Sequence, residues 1–103
     1  MKVLTLIVHT QVQQQLTELL RSMDQAPGFT FTHVEGYGSE IEHDAFVAAR
    51  DQALGNVPRI RTDILLQDND VEPVLARLLA RHNNVIGQGV YWLTPVEQGG
   101  HIL

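Results

Sequence analysis

The hydrophobic positions of the first part of the chain change from a strand pattern to a helical one. Residues 2–9 form a nearly continuous apolar and β-branched run, which is typical of a buried strand. The next apolar residues recur at helical spacing on one face, and they are Val12, Leu16, Leu19, Leu20 and Met23. Thr10 and Gln13 match a capping box at the start of this helix, and Pro27-Gly28 would end it.

Two further strands are indicated by the residues that follow. Residues 29–37 form the second, with Phe29, Phe31 and His33 on one face and the intervening threonines on the other. Pro58 opens the third strand, which continues to Leu66, because the missing N–H of proline is tolerated at a strand start.

A second helix and a fourth strand complete the pattern. Asp70 is the expected N-cap, which makes Pro73 the third helical residue, where the lost N–H has no intrahelical partner. The apolar stripe of this helix comprises Val71, Val74, Leu75, Leu78 and Leu79. Residues 90–94 form the last strand, and Pro95 marks it as an edge strand or ends it.

The order strand, helix, strand, strand, helix, strand predicts an α+β fold of the ferredoxin-like βαββαβ type. Right-handed crossovers would place two helices on one face of a four-stranded antiparallel sheet. We expect residues 1–97 to form a single domain and residues 98–103 to be a C-terminal tail. The other face of the sheet carries apolar residues, which favours self-association.

The connection between the second and third strands is the most unusual stretch. It spans about twenty residues, whereas most connections in compact domains have about 2–6. Loops of this length tend to carry function. Residues 44–54 have helical character, so the loop at 39–57 would carry a short helix or become helical when bound. Its helical face would contact a partner protein through Phe46, Arg50 and Leu54.

Composition narrows the choice of partners. The chain has 103 residues, a net charge of −5 and no cysteine. Nucleic acid is disfavoured as a partner, because phosphate binding needs a concentrated positive face. Disulfides and cysteine-based zinc sites are excluded. The apolar run at residues 2–9 is too short to span a membrane, so we expect a cytoplasmic protein.

Two groups of residues have the chemistry of a divalent metal site. Oxygen and nitrogen ligands are concentrated in the loop at Glu40, Glu42, His43 and Asp44, and imidazole favours zinc, copper, nickel or cobalt. The simpler alternative is a solvated acidic loop with Asp44 as a helix cap. His33 and Glu35 share a strand face and would form a second group together with His9. The alternative there is a polar patch at a sheet rim or a subunit interface.

Anion binding and catalysis are the other chemistries to consider. Arg59 and Arg61 share one face of the third strand and would clamp an anion such as bicarbonate, phosphate or a nucleotide. The alternative is cross-strand pairing with an acid such as Glu35. An enzyme is disfavoured, because no nucleophile with a matching base and no phosphate-cradling motif is present. His33 and Glu35 would be the acid and base of a small ferredoxin-like enzyme.

Three blocks of sequence resemble the PII signal-transduction proteins. Residues 28–38 resemble their second strand, which ends in Gly-aromatic-Gly, and residues 57–66 resemble their Pro-Lys-Val-Lys strand. Residues 86–92 resemble their Ile-Gly-Asp-Gly-Lys-Ile-Phe segment. The resemblance covers about residues 1–97 and is greatest to a short PII-like family often encoded beside heavy-metal efflux pumps, including the Tyr-Trp-Leu-Thr-Pro-Val-Glu run at residues 91–97.

This resemblance implies a homotrimer, ligand pockets between subunits and a mobile loop that docks on a partner, with an efflux-pump component as the candidate. The ligand positions carried over are Glu40, Arg59, Gly87 and Gly89, to which Arg61 is added as a neighbour of Arg59. Two phosphate-binding lysines of PII proteins are replaced by valine, at Val85 and Val90. We therefore predict a non-enzymatic regulator that senses a small ligand or a divalent transition metal ion. The alternative ligand is a nucleotide or a small anion such as bicarbonate.

Overall fold

A computed structural model of the chain describes residues 1–36, 57–80 and 89–103. These residues form one antiparallel sheet and two α-helices. In chain order the elements are β1 (Lys2–His9), α1 (Gln13–Arg21), β2 (Thr30–Gly36), β3 (Val57–Leu66), α2 (Val71–Leu78) and β4 (Val90–Pro95). The strands lie in the order β2-β3-β1-β4, so the two central strands are β1 and β3. The α+β, ferredoxin-like arrangement predicted from the sequence is confirmed.

The strand register divides the sheet into two faces. Leu4, Leu6 and Val8 of β1 lie opposite Ile64, Thr62 and Ile60 of β3. These residues are buried, and the apolar ones form a single core with side chains of both helices. The helical members of that core are Val12, Leu16, Leu20, Val71, Val74 and Leu78. Both helices therefore cover the same face of the sheet, called here the helix face, as predicted.

The first helix differs from the prediction at both ends. A 3-10 turn at Thr10–Val12 precedes α1, and the N-cap of this turn is His9 rather than Thr10. The helix ends at Arg21 instead of continuing to Pro27, because Ser22 is already the C-cap and its hydroxyl donates to the carbonyl of Leu19 at 2.6 Å. Met23 is buried in the core although it lies beyond the helix.

The second helix confirms the predicted position of Pro73 as the third residue of α2. A 3-10 turn at Asp68–Asp70 precedes the helix, and the side chain of Asp70 makes no capping hydrogen bond. Leu78 is buried, but Leu79 is 45% exposed, so the predicted apolar stripe ends one residue earlier. Arg77 Nη2 donates to Ser22 Oγ at 3.2 Å and thereby links α2 to the end of α1.

The second face, called here the open face, carries Arg59, Arg61, Asp63 and Leu65 of β3. By register, the open-face residues of the other strands are Val3, Thr5, Ile7, His9, Thr30, Thr32, Val34, Val90, Trp92 and Thr94. Neither helix packs on this face, because their buried residues contact the core on the other side. The open face is therefore the surface on which the predicted ligand arginines lie.

Pro58 fits into β3 because of where it pairs. It lies opposite Glu35 of β2, whereas pairing with β1 begins one residue later, at His9 and Arg59. The missing N–H of proline thus falls outside the part of β3 that pairs with both neighbouring strands. Gly36 and Val57 are paired at the end of β2 and the start of β3, so both ends of the 37–56 connection leave the sheet together.

Candidate functional site

Arg59 is a buried cation at the end of the sheet where the 37–56 connection begins and ends. Arg59 is 3% exposed, and it lies opposite His9 on β1 and opposite Val34 on β2. A Cβ atom placed on Gly36 would lie 3.0 Å from Arg59 Cγ, so the arginine stem runs over this glycine. Any larger residue at position 36 would require the arginine side chain to shift.

Arg61 lies on the same face as Arg59, as predicted, but its guanidinium is bound within its own strand. Its Nε lies 3.1 Å from Asp63 Oδ2, and its Nη2 lies 3.3 Å from Asp63 Oδ1. The guanidinium carbon also lies 5.8 Å from the ring centroid of Trp92 on β4, within the range of a cation–π contact. The alternative that Arg61 pairs with Glu35 is not observed, because Glu35 lies opposite Pro58 and therefore faces the helix side.

Asp63 connects Arg61 to β1, the strand on the other side of β3 from β2. The hydroxyl of Thr5 on β1, itself 1% exposed, donates to Asp63 Oδ1 at 2.8 Å. One carboxylate therefore accepts from a neutral and a charged donor on two strands. The arrangement orients the Arg61 guanidinium toward Trp92 and compensates its charge. Arg61 is thus suited to holding the open face together, whereas Arg59 lies at the end of the sheet where the 37–56 connection begins.

His9 is a functional candidate with a role that the sequence analysis missed. Its ring Nδ1 accepts a hydrogen bond from the backbone N–H of Gln11 at 3.1 Å, at the corner between β1 and α1. Nδ1 must be unprotonated to accept this bond, so the neutral ring carries its proton on Nε2. The available signal was a polar side chain immediately before a helix start, but threonine at the next position is the more usual cap.

The predicted grouping of His9 with His33 and Glu35 does not form. His33 lies opposite Ile60, on the helix face, whereas His9 lies opposite Arg59, on the open face. Within residues 1–36, 57–80 and 89–103, no group of three or more histidine, cysteine or acidic side chains could hold a metal ion. His33 is exposed on the edge strand β2, where it would need further ligands from outside these residues.

Several predicted site residues lie outside the part of the chain that the structure describes. They are the candidate metal ligands Glu40, Glu42, His43 and Asp44, the loop residues Phe46, Arg50 and Leu54, and the ligand position Gly87. Gly89 is described and immediately precedes β4, which is an edge strand beside β1. The described part of the predicted ligand site therefore consists of Arg59, Arg61 and Gly89.

No helix among the described residues is long and apolar enough to cross a membrane.

Comparison with known proteins gives consistent results at the level of sequence and fold. A protein-family model described as "Protein of unknown function (DUF3240)" matches residues 1–103. A crystal structure of a DUF3240 family protein from Shewanella baltica OS155 superimposes with a TM-score of 0.75 over 99% of this chain and 96% of that chain, at 17% identity. At this identity the superposition supports the shared fold.

Two curated relatives extend the comparison. The chain is 26% identical over 72 residues to "Nitrogen regulatory protein P-II" of Azospirillum brasilense and, over the same length, to the protein of that name from Cereibacter sphaeroides. Each match covers 69% of this chain and 64% of the relative, so slightly less than two thirds of these relatives is spanned. The PII-like relationship expected from the three sequence blocks is thereby supported.

Proposed function

We propose, from the premise that the chain belongs to the DUF3240 family, that it is a non-enzymatic regulatory protein of the PII type. The observation that carries this proposal is the pairing of Gly36 with Val57, which brings both ends of the 37–56 connection to one point of the sheet. A connection held this way can present a recognition segment to a partner protein while the sheet stays unchanged. The similarity to nitrogen regulatory proteins supports the same role.

The base of the connection is where a ligand would act on it. Arg59 lies at this end of the sheet, and the aliphatic part of its side chain lies against Gly36. A ligand that contacts the guanidinium would therefore affect the end of β2 and the start of β3. A ligand shifts a conformational equilibrium only by binding one state more tightly than the other. In this proposal, the two states differ in the position of the 37–56 connection, and Phe46, Arg50 and Leu54 contact the partner in one of them.

The residue types in the connection and on β3 indicate two classes of ligand. A divalent transition metal ion would be bound by Glu40, Glu42, His43 and Asp44, with His33 as a further candidate, and would connect the protein to a component of a heavy-metal efflux pump. A nucleotide or a small anion such as bicarbonate would instead be bound by Arg59, with Gly87 and Gly89 permitting close backbone approach. The position of Arg59 beside the ends of β2 and β3 supports the anion, and the imidazole and carboxylate content of the connection supports the metal.

A homotrimer is the assembly that we propose. Neither α1 nor α2 packs on the open face, and large apolar side chains of the described residues are exposed on it, including Leu65, Val90 and Trp92. Exposed apolar surface of this kind is typical of an interface. Ligand pockets between subunits would then be completed by residues of two copies.

Native mass spectrometry of the protein, purified without an affinity tag or chelator, tests the assembly and the ligand together. We expect a trimer that retains a metal ion or an anionic ligand. A trimer carrying neither would leave the assembly supported and contradict the proposal of a tightly held ligand. A monomer or dimer would contradict the PII-type assembly.

Calorimetric titration then separates the two ligand classes. Copper, zinc, nickel and cobalt ions are compared on the parent protein and on the variants His43→Ala and Glu40→Ala. Weaker binding in these variants supports the metal site, and equal affinity excludes it. For the anion, ATP and bicarbonate are titrated into Arg59→Ala and into the matched control Arg21→Ala, whose arginine is exposed on α1. Binding lost only in Arg59→Ala supports the second class.

The proposed role of the connection has its own test. Phe46→Ala, Arg50→Ala and Leu54→Ala are assayed for capture of the cytoplasmic segments of a heavy-metal efflux pump, with the exposed α1 variant Arg21→Ala as control. Loss of capture in the three loop variants alone supports recognition through this connection. Capture that is equal in all variants would show that another surface is used.

A further inference from the structure

The centre of the open face carries four side chains that order one another: Thr5, Arg61, Asp63 and Trp92. Thr5 on β1 lies opposite Asp63 on β3 and opposite Trp92 on β4, so these three share one row of the sheet. The Thr5 hydroxyl donates to Asp63 Oδ1 at 2.8 Å, and Arg61 donates to both carboxylate oxygens of Asp63. We call these four residues the open-face quartet.

Arg61 reaches across the sheet toward the aromatic ring. Because β1 lies between β3 and β4, Arg61 and Trp92 belong to strands about 10 Å apart, twice the usual spacing of neighbouring strands. The guanidinium carbon nevertheless lies 5.8 Å from the centroid of the Trp92 ring. Thr5, on the intervening strand, is only 1% exposed although neither α1 nor α2 packs on this face. Side chains of the open face itself therefore cover the threonine.

The contacts of the quartet order side chains that stay accessible to a partner. The side chain of Arg61 is 43% exposed, and Trp92 is 40% exposed. Surface ion pairs contribute little to folding, because ordering two side chains costs entropy and water screens their charges. Side chains that are ordered before association lose less entropy when a partner binds. The quartet is therefore better suited to association than to stabilising the fold.

The partner that fits this surface is a second copy of the chain. The chain has a net charge of −5, so its surface as a whole opposes association between copies. In the quartet, however, Asp63 balances the charge of Arg61, and the other two side chains are neutral. Exposed apolar side chains, including Leu65 and Val90, lie on the same face. Two open faces can therefore meet at their centres without net repulsion.

We propose that Trp92 and Arg61 form the hot spot of the contact between copies, and that Thr5 is a positioning residue that acts through Asp63. Tryptophan and arginine are enriched among the residues that carry binding energy at interfaces. Thr5 is too buried to reach a partner, but its hydroxyl holds the carboxylate that orients the guanidinium. This inference rests on the assembly proposed above and adds the residues that determine its strength.

Trp92→Ala tests the hot spot. The dissociation constant of the assembly is measured by sedimentation velocity over a dilution series. We expect Trp92→Ala to weaken association about thirtyfold or more, as truncation of a hot-spot residue does. Leu93→Ala is the matched control, because Leu93 is 36% exposed on the same strand but lies opposite Leu4 on the helix face. It should change the dissociation constant by less than about threefold.

Thr5→Val and Thr5→Ser test the positioning role. Valine keeps the size of the side chain but removes the hydroxyl, whereas serine keeps the hydroxyl. We expect Thr5→Val to weaken association about three- to tenfold, the loss of one net hydrogen bond, and Thr5→Ser to behave as the parent does. Trp92 is the single tryptophan, so its near-ultraviolet circular dichroism should also decrease in Thr5→Val and be retained in Thr5→Ser. A role in folding stability alone would not change this signal.

The results distinguish the hot spot from the assembly itself. A parent protein that stays monomeric would overturn both. Association that Val90→Asp weakens but Trp92→Ala leaves unchanged would support the assembly and overturn the hot spot, and equal dissociation constants for Thr5→Val and the parent would overturn the positioning role. Arg61→Lys provides a second measurement should Trp92→Ala not fold. It keeps the charge but loses the planar fork that binds Asp63, so it should weaken association about tenfold, and an unchanged dissociation constant would again overturn the hot spot.

Discussion

Asp63 joins polar side chains of β1 and β3 on the open face. Its carboxylate accepts from the Thr5 hydroxyl at 2.8 Å and from Arg61 Nε at 3.1 Å. We expect Asp63→Ala to lower the free energy of unfolding by about 1–3 kcal/mol, because a buried hydroxyl loses its acceptor and a partly exposed guanidinium loses its counter-charge. The lower part of this range is favoured, since the side chain of Asp63 is 31% exposed. Urea denaturation of the two proteins measures the difference.

Glu35→Ala is the control for this change, because Glu35 is also an acidic strand residue but is exposed. It should change the free energy of unfolding by about 0.5 kcal/mol or less. Equal losses in the two variants would show that the contacts of Asp63 contribute nothing beyond a surface charge. The fluorescence of Trp92 should also change in Asp63→Ala only, because Arg61 would no longer be oriented toward the indole ring.

We expect the contribution of Asp68 to folding stability to depend on pH. Asp68 follows the end of β3, away from the 37–56 connection. The ammonium group of Met1 donates to Asp68 Oδ1 at 2.7 Å, and Lys2 Nζ lies 3.5 Å from the same oxygen. The hydrogen bond from the ammonium group, followed by the charge of Lys2, lowers the pKa of Asp68 below its ordinary value of 3.8. A carboxylate with a lowered pKa in the folded state stabilises it above the ordinary value, and this stabilisation is lost as the pH falls through the lowered pKa.

Asp68→Asn should therefore slightly lower the melting temperature at about pH 6 and should differ less from the parent at about pH 3. Thermal unfolding at several pH values measures this convergence. The effect is small because the side chain of Asp68 is 65% exposed and its ion pairs are screened. Asp24→Asn, at another exposed aspartate, serves as the control. A difference that grows toward acid pH would contradict the assigned contacts.

For single residues, the sequence predicts the sheet face on which a side chain lies better than it predicts the residue that the side chain contacts. Arg59 and Arg61 share a face because residues two apart in a strand always do, and this was correctly predicted. The partner of Arg61 was not, since strand register decides whether Glu35 or Asp63 is within reach. The cap formed by His9 was missed for a related reason: its acceptor role depends on a backbone corner and a tautomer that the residue type does not specify.

At the scale of elements, the apolar pattern predicts which segments are helices and strands but is less reliable at their ends. The stripe of α1 includes Met23, which is buried, yet the helix ends at Arg21. A residue can reach the core from the turn after a helix, so burial alone does not extend the helix. The same ambiguity affects α2, where two adjacent leucines at its end were assigned to one stripe.

Leu78 and Leu79 provide a direct test of that helix end. Leu78 is 1% exposed and belongs to the core, whereas Leu79 is 45% exposed. We expect Leu78→Ala to lower the free energy of unfolding by about 2–5 kcal/mol, because a buried side chain is lost and a cavity remains. Leu79→Ala should cost about 0.5 kcal/mol or less. Urea denaturation separates the two, and Leu78→Val offers a milder change if Leu78→Ala does not fold. Similar losses at the two positions would contradict the end of α2.

For the whole molecule, the order and type of the elements are enough to predict the sheet. Two strand–helix–strand units with right-handed crossovers lead to the order β2-β3-β1-β4, in which strands of opposite direction alternate. The candidate site is less predictable, because it combines residues from β1, β2 and β3 whose contacts depend on register and on side-chain burial. The proposed ligand and partner contacts depend further on residues of the 37–56 connection, for which composition indicates chemistry but no geometry.

The proposed trimer makes a prediction that two neighbouring residues of β4 can test. Val90 is 46% exposed on the open face, and Tyr91 is 47% exposed on the helix face. If copies of the chain associate through the open face, Val90→Asp places an uncompensated charge in the interface and Tyr91→Asp does not. We expect Val90→Asp to weaken association by at least about tenfold, since desolvating an unpaired charge opposes binding.

Tyr91→Asp should keep the mass of the parent assembly in light scattering measured over a dilution series. The two substitutions lie on the same strand, replace residues of nearly equal exposure and introduce the same charge. They therefore differ mainly in the face of the sheet on which the charge lies. Dissociation of Tyr91→Asp alone would place the interface on the helix face. Dissociation of neither variant would show that β4 lies outside the interface. In either case, association between copies of the chain would not account for the exposed apolar residues of the open face.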